Sequence, residues 1–166
     1  DGALPIYEGT RIKLNATGNP AGTPTWRSDN TSIAEVDASG NVTAKALGIT
    51  SIRAELIGKT AVVQITVKAI KVSLNVQTTT MYLGYKDKLN VSYEPAGTPV
   101  WSSDNTSIVI VDQQGNLTPK AVGQTTVRVK VNGKTATANI TVKKPFVKFR
   151  SSSKTMYKGE KYKPAI

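Results

Sequence analysis

Residues 20–67 read PAGTPTWRSDNTSIAEVDASGNVTAKALGITSIRAELIGKTAVVQITV, and residues 95–142 read PAGTPVWSSDNTSIVIVDQQGNLTPKAVGQTTVRVKVNGKTATANITV. The two stretches align without a gap at an offset of 75 and are identical at 29 of 48 positions. A period of that length, kept that well, means one structural unit used twice. The offset runs upstream, where Tyr7, Gly9 and Leu14 pair with Tyr82, Gly84 and Leu89. It also runs downstream, where Met156, Tyr157 and Gly159 repeat Met81, Tyr82 and Gly84. The chain therefore divides into a first repeat over 1–68, a second over 69–143 and the opening of a third over 144–166.

Within each repeat the apolar spacing is two, which predicts strands with one buried face. Ala61, Val63, Ile65 and Val67 alternate with Thr60, Val62, Gln64 and Thr66; in the second copy Ala136, Ala138, Ile140 and Val142 alternate with Thr135, Thr137, Asn139 and Thr141. Val127, Val129 and Val131 form a third such face, and Leu14 with Ala16, or Leu89 with Val91, a fourth. Trp26 and Trp101 are expected on a middle strand, where an indole spans two sheets; with Leu14 and Leu89 they are the predicted core anchors. Gly58-Lys59 and Gly133-Lys134 read as hairpin turns whose glycine takes positive φ. Gly40-Asn41 and Gly115-Asn116, preceded by Asp37 and Asp112, mark a second turn. Short strands without a helical window predict an all-β class, two β-sandwiches in series. Residues 68–71 are too few for a floppy linker, so a fairly stiff rod is expected.

Residues 72–76 (VSLNV) and 147–151 (VKFRS) are equivalent opening strands of repeats two and three. Repeat one has no counterpart, since that strand would precede residue 1. Two explanations stand open: an arbitrary cut in a longer chain, or strand donation, in which the tail of one molecule completes the first sandwich of the next.

The frame of Tyr-x-Gly, W-x-S-D-N-x-S-I, V-D-x-x-G-x-x-T, a Gly-x-T-x-[IV] strand and a closing T-V strand resembles the bacterial Ig-like domain, group 2. Trp26, Ser28, Asp37, Gly40 and Gly48 carry the resemblance in repeat one, and Trp101, Ser103, Asp112, Gly115 and Gly123 in repeat two. The resemblance implies Greek-key, immunoglobulin-like sandwiches used as spacer and adhesion modules in outer-membrane adhesins, Gram-positive wall and S-layer proteins, and phage virions. It implies an extracellular, cell-surface or cell-wall location, with a virion as the alternative, and it implies no ligand.

The 166 residues contain no Cys and no His. Nucleophilic thiols, disulfides, Cys/His zinc sites and the commonest general base are thereby excluded. No enzyme and no cofactor is expected, and no apolar run reaches the roughly 18 residues of a membrane span. Asp29, Asn30 and Asp37, with Asp104, Asn105 and Asp112, are too few and wrongly spaced for an EF-hand-like calcium loop, and Asp and Asn are ordinary turn residues. An isopeptide bond would need a buried Lys, whereas Lys13 and Lys88 fall on outward positions. The sequons at Asn15, Asn30, Asn41, Asn90, Asn105, Asn116 and Asn139 are the chance yield of a Thr-rich β protein.

The net charge is +11, and residues 143–166 hold eight basic residues against Glu160, a net +7 that leaves +4 for the first 142 residues. Lys148, Arg150, Lys154, Lys158, Lys161 and Lys163 are the candidate contacts for an anionic cell-surface polymer or glycan. Their competing reading is a solvated strand face. Nucleic acid is not expected, because no reading motif accompanies the charge. Between the copies, Ala34-Glu35 against Val109-Ile110 is the most divergent stretch expected to be exposed, and Ile110 in place of Glu35 marks a candidate inter-module or partner contact.

Overall fold

A computed structural model describes residues 3–147 and residue 158. Two compact units are distinguished: Asp1–Val72 with Tyr93–Thr98, and Ser73–Ser92 with the residues from Pro99 onward. The first copy contributes β1 (Leu4–Tyr7), β2 (Arg11–Lys13), β3 (Thr25–Ser28), β4 (Ala34–Val36), β5 (Asn41–Ala44), β6 (Gly48–Leu56) and β7 (Lys59–Lys68). A four-stranded sheet runs β1-β7-β6-β3 and a three-stranded sheet runs β2-β5-β4. The outer pair is parallel, with Leu4 opposite Ile65 and Ile6 opposite Val67. All other pairings in this copy are antiparallel.

The second copy begins with β8 (Lys71–Leu74), followed by β9 (Thr78–Tyr82), β10 (Asp87–Lys88), β11 (Val91–Glu94), β12 (Val100–Ser103) and β13 (Val109–Val111). It closes with β14 (Asn116–Pro119), β15 (Gly123–Val131) and β16 (Lys134–Lys143). Sheets β9-β16-β15-β12 and β10-β14-β13 reproduce the first copy, including the parallel outer pair, here Met81 opposite Val142. Two further strands, β8 and β11, pair with each other, and residues 16–19, the counterparts of β11, form no strand. The all-β sandwich class follows from the period-two alternation, because each sheet buries one face against the other.

The predicted faces fall where expected, with two corrections. Ile65 and Val67, and Val127, Val129, Val131, Ala138, Ile140 and Val142, are buried. Ala61, placed inward by the alternation, is exposed. Ala34 and Val109 are fully buried rather than exposed, so only Glu35 and Ile110 of that divergent pair face solvent. The hydrogen-bonding order corrects a third expectation: β3 and β12 are end strands of their sheets, not middle ones. The indoles still bridge the sandwich, because each packs against a glycine in a turn of the opposite sheet, between β4 and β5 or between β13 and β14. A Cβ built on Gly40 would lie 2.9 Å from the Trp26 ring, and one on Gly115 would lie 3.0 Å from the Trp101 ring.

The hairpins joining β6 to β7 and β15 to β16 show how local chemistry sets register. Leu56 pairs with Lys59 and Val131 with Lys134, so each loop has two residues, Ile57-Gly58 and Asn132-Gly133. The turn lies one residue earlier than Gly58-Lys59 and Gly133-Lys134. Both loop residues have positive φ, 49° and 66° in the first copy and 48° and 84° in the second. Two successive positive values are the type I′ signature, for which Asn-Gly is the preferred pair and a β-branched residue is strained. Ile57 is 67% exposed and recovers little burial in return. Ile57→Asn is expected to stabilise the first repeat by about 1 kcal/mol, the lower end of the left-handed penalty. Thermal unfolding should shift upward by about 4–8 °C for a domain of this size; an unchanged or lower midpoint would contradict the assignment of strain.

Candidate functional site

The polar residues of the W-x-S-D-N-x-S-I motif bind side chains and backbone of the chain itself. Asp29 accepts two hydrogen bonds from Arg53 Nε at 2.7 and 3.0 Å and one from Arg53 Nη2 at 2.7 Å. The second copy repeats the fork, with Arg128 donating to Asp104 at 2.8 and 2.7 Å. Such planar, bidentate pairing holds the loop after the Trp strand against β6 or β15. The Arg53 and Arg128 guanidiniums hold these two carboxyls below the usual range. Thr50, nearly buried, accepts the Asn30 amide at 3.0 Å, and Thr125 accepts that of Asn105 at 3.0 Å. Asn30 Oδ1 in turn accepts the Ser32 amide at 3.1 Å and its hydroxyl at 2.6 Å.

The Asp of V-D-x-x-G is engaged in the same way. Asp37 Oδ1 accepts the amides of Ser39 and Asn41, each at 2.9 Å, the Asn41 side chain binds both carboxylate oxygens, and Arg11 reaches Oδ2 at 2.5 Å. Those donors, Asn41's side chain and amide foremost, hold the Asp37 pKa down to about 2 from its ordinary 3.8. Asp112 repeats the pattern with Asn116 and Gln114, and its pKa is lowered for the same causes, with Lys88 adding Coulombic support. Because the folded pKa lies below the ordinary value, the contribution of Asp37 is full above about pH 3.8 and is lost as the pH falls towards about 2. Denaturation midpoints measured across that interval should fall steeply for the native chain and less steeply for Asp37→Asn, which keeps a carbonyl acceptor but cannot titrate. An equally steep fall in the variant would remove Asp37 from the acid response.

The carboxylates weighed as calcium ligands thus each accept hydrogen bonds from internal donors. Glu35 forms an ion pair with Lys45, while its counterpart Ile110 is 41% exposed. Lys13 and Lys88 are exposed, and Lys13 Nζ donates to the Ser39 carbonyl. Of the six polyanion candidates, Lys158 is exposed in a turn; Lys148, Arg150, Lys154, Lys161 and Lys163 lie outside the described residues.

The predicted core anchors separate the two copies. Leu89 is 1% and Trp101 6% exposed, whereas Leu14 and Trp26 are only half-buried. Beside them in the first unit lies an open groove of about 240 Å³ lined by Leu14, Ala16, Trp26, Ala54 and Val63 among others. This concavity was missed in sequence, because identical Leu and Trp letters stand at both sites and only the surrounding strands differ.

Residues 61–142 match the family model described as bacterial Ig-like domain (group 2), and residues 7–55 match the one described as intimin, immunoglobulin-like domain. Residues 61–142 belong to the bacterial Ig-like domain family, group 2. An uncharacterised protein of Clostridium acetobutylicum is 30% identical over 117 residues, 65% of this chain and 12% of that protein. The chain thus spans about an eighth of that relative's length. Among solved structures, the S-layer protein SbsC is 20% identical with a TM-score of 0.43, covering 77% of this chain and 21% of that one. A C-terminal 282-residue fragment of intimin, solved in complex with the intimin-binding domain of the translocated intimin receptor, is 20% identical with a TM-score of 0.44. That match covers 79% of this chain and 56% of the fragment.

Proposed function

We propose that these bacterial Ig-like repeats form a non-catalytic, extracellular structural module: a β-sandwich stalk or assembly unit of a bacterial surface protein. The observation that carries this reading is the destination of the motif side chains. In both copies the Asp29/Asp104 and Asp37/Asp112 carboxylates bind Arg53/Arg128 and Asn41/Asn116, and the Asn30/Asn105 side-chain oxygen accepts the Ser32/Ser107 amide, all within the same fold. Residues duplicated to hold a backbone serve a spacer; a catalytic or metal site needs such groups aimed at an open cavity.

The second reading is a polyanion- or glycan-binding module acting through the basic segment after Val142, favoured by the +7 charge carried there. Co-sedimentation of the chain with isolated bacterial envelopes across a salt series distinguishes the two. The stalk reading expects weak binding at every salt concentration, equal for the chain and for a form with Lys154, Lys158, Lys161 and Lys163 changed to Gln. Saturable binding that fades with salt and is lost in the Gln form would replace it with the polyanion reading.

A further inference from the structure

The outer face of the three-stranded sheet has the same layout in both copies but different bonding. In the first copy it is closed on itself. Arg11 reaches Asp37 Oδ2 at 2.5 Å, Lys45 pairs with Glu35, and Lys13 donates to the Ser39 carbonyl. Three substitutions undo that closure in the second copy: Lys86 stands for Arg11, Asp87 for Ile12 and Ile110 for Glu35. Lys86, Lys88 and Lys120, the counterparts of Arg11, Lys13 and Lys45, enter no ion pair among the described residues, where the second copy's pair is Arg128 with Asp104. Asp112 Oδ2 accepts from Asn116 at 2.7 Å but, among the described residues, lacks the guanidinium that Asp37 receives. Asp87 is exposed, and its Oδ1 accepts the Lys88 amide at 2.7 Å. Each face carries three cations and two carboxylates, so pairing rather than net charge separates the copies.

The released groups line an open trough of about 440 Å³ formed by Lys86, Asp87, Lys88, Asp112, Asn116 and Thr118. That volume falls within the roughly 300–1,000 Å³ of ligand pockets. Strand pairing sets Lys88 opposite Asn116, and Ile110, 41% exposed, opposite Thr118. We propose that this trough binds an acidic saccharide, a sugar chain that carries carboxylates among its hydroxyls. Charge complementarity selects that class. The lysine ammoniums, without an internal carboxylate, take those of the ligand. Asp87 and Asp112 accept from sugar hydroxyls, the Thr118 hydroxyl donates or accepts, and Ile110 meets a C–H face of the ring. A polyphosphate or an acidic peptide brings a density of negative charge that Asp87 and Asp112 repel. A neutral sugar leaves the lysines unused. The site lies within the second repeat and is separate from the basic segment after Val142.

Nuclear magnetic resonance of the whole chain, titrated with trigalacturonate and, separately, with neutral galactotriose, tests this. About 0.15 M salt screens exposed charges more than about 8 Å apart. The expected result is a saturable shift of the Lys86, Lys88, Asn116 and Thr118 amides, with Arg11, Lys13, Asn41 and Thr43 unmoved in the same spectra. Galactotriose should bind at least ~10-fold more weakly. The double variant Lys86→Arg with Ile110→Glu installs the first copy's two ion pairs without removing a cation. It should weaken trigalacturonate binding at least ~10-fold, about 1.4 kcal/mol, and both residues are ones the first copy already folds with. No shift, equal shifts in both copies, equal affinity for galactotriose, or unchanged binding by the double variant overturns the proposal. Shifts confined to residues after Val142 also overturn it and move the ligand to the basic segment. The structural reading of the module survives any of these, because it rests on Asp29, Asp37 and their counterparts.

Discussion

Gly115→Ala is expected to lower the stability of the second repeat by about 2–5 kcal/mol, combining a left-handed backbone penalty with overpacking. Gly115 sits at φ +82°, and a Cβ there would lie 2.4 Å from the Leu89 carbonyl oxygen and 3.0 Å from the Trp101 ring. Neither neighbour can give way cheaply. The Leu89 amide donates to the Gly115 carbonyl at 3.0 Å, which fixes the two backbones against each other, and the indole is closed into the core. A side chain at 115 must therefore push the β13–β14 turn out of its sheet or tilt the ring that joins the sheets. Urea denaturation in a Trp26→Phe background, where Trp101 is the remaining indole of the chain's two, reads the effect directly. The midpoint should move sharply down at an unchanged slope. A loss below about 1 kcal/mol, the ordinary value for a point substitution, would show that the turn yields and that the Gly–Trp contact does not hold the sandwich together.

That contact also marks where the sequence was legible and where it was not. Gly and Asp stand at fixed spacing in both repeats, so their turn was readable as a motif, whereas the packing of the Trp ring on that glycine was not. The alternation of Val127, Val129 and Val131 placed the core face of β15 correctly. Ala61 departed from the same rule because alternation assumes that something covers the inward face along the whole strand. At the hairpin end of β7 nothing described does, and Ala61 is exposed. Trp26 and Trp101 sit on end strands because the order of strands in a sheet is set by long-range pairing, which periodicity cannot carry. Ile57 was invisible as a strained residue until the hairpin register showed that it occupies the position held by Asn132. The carboxylates of Asp29 and Asp37 looked like candidate ligands as letters; only distances revealed Arg53 and Asn41 as their partners.

Leu89→Ala should cost the second repeat about 3 kcal/mol, within the range for buried Leu truncations, and Leu14→Ala should cost the first roughly half as much. The same side chain at the same position of the same fold is removed in both cases; the difference is what covers it. Leu89 is 1% exposed, so its loss forfeits the transfer energy of the isobutyl group and leaves a cavity. Leu14 already borders an open groove, so water replaces the lost methyls without an enclosed void. Hydrogen exchange resolved by segment gives both values in one intact chain, from protection along β15 for one variant and along β6 for the other. Equal losses in the two repeats would mean that the groove beside Leu14 is closed in solution.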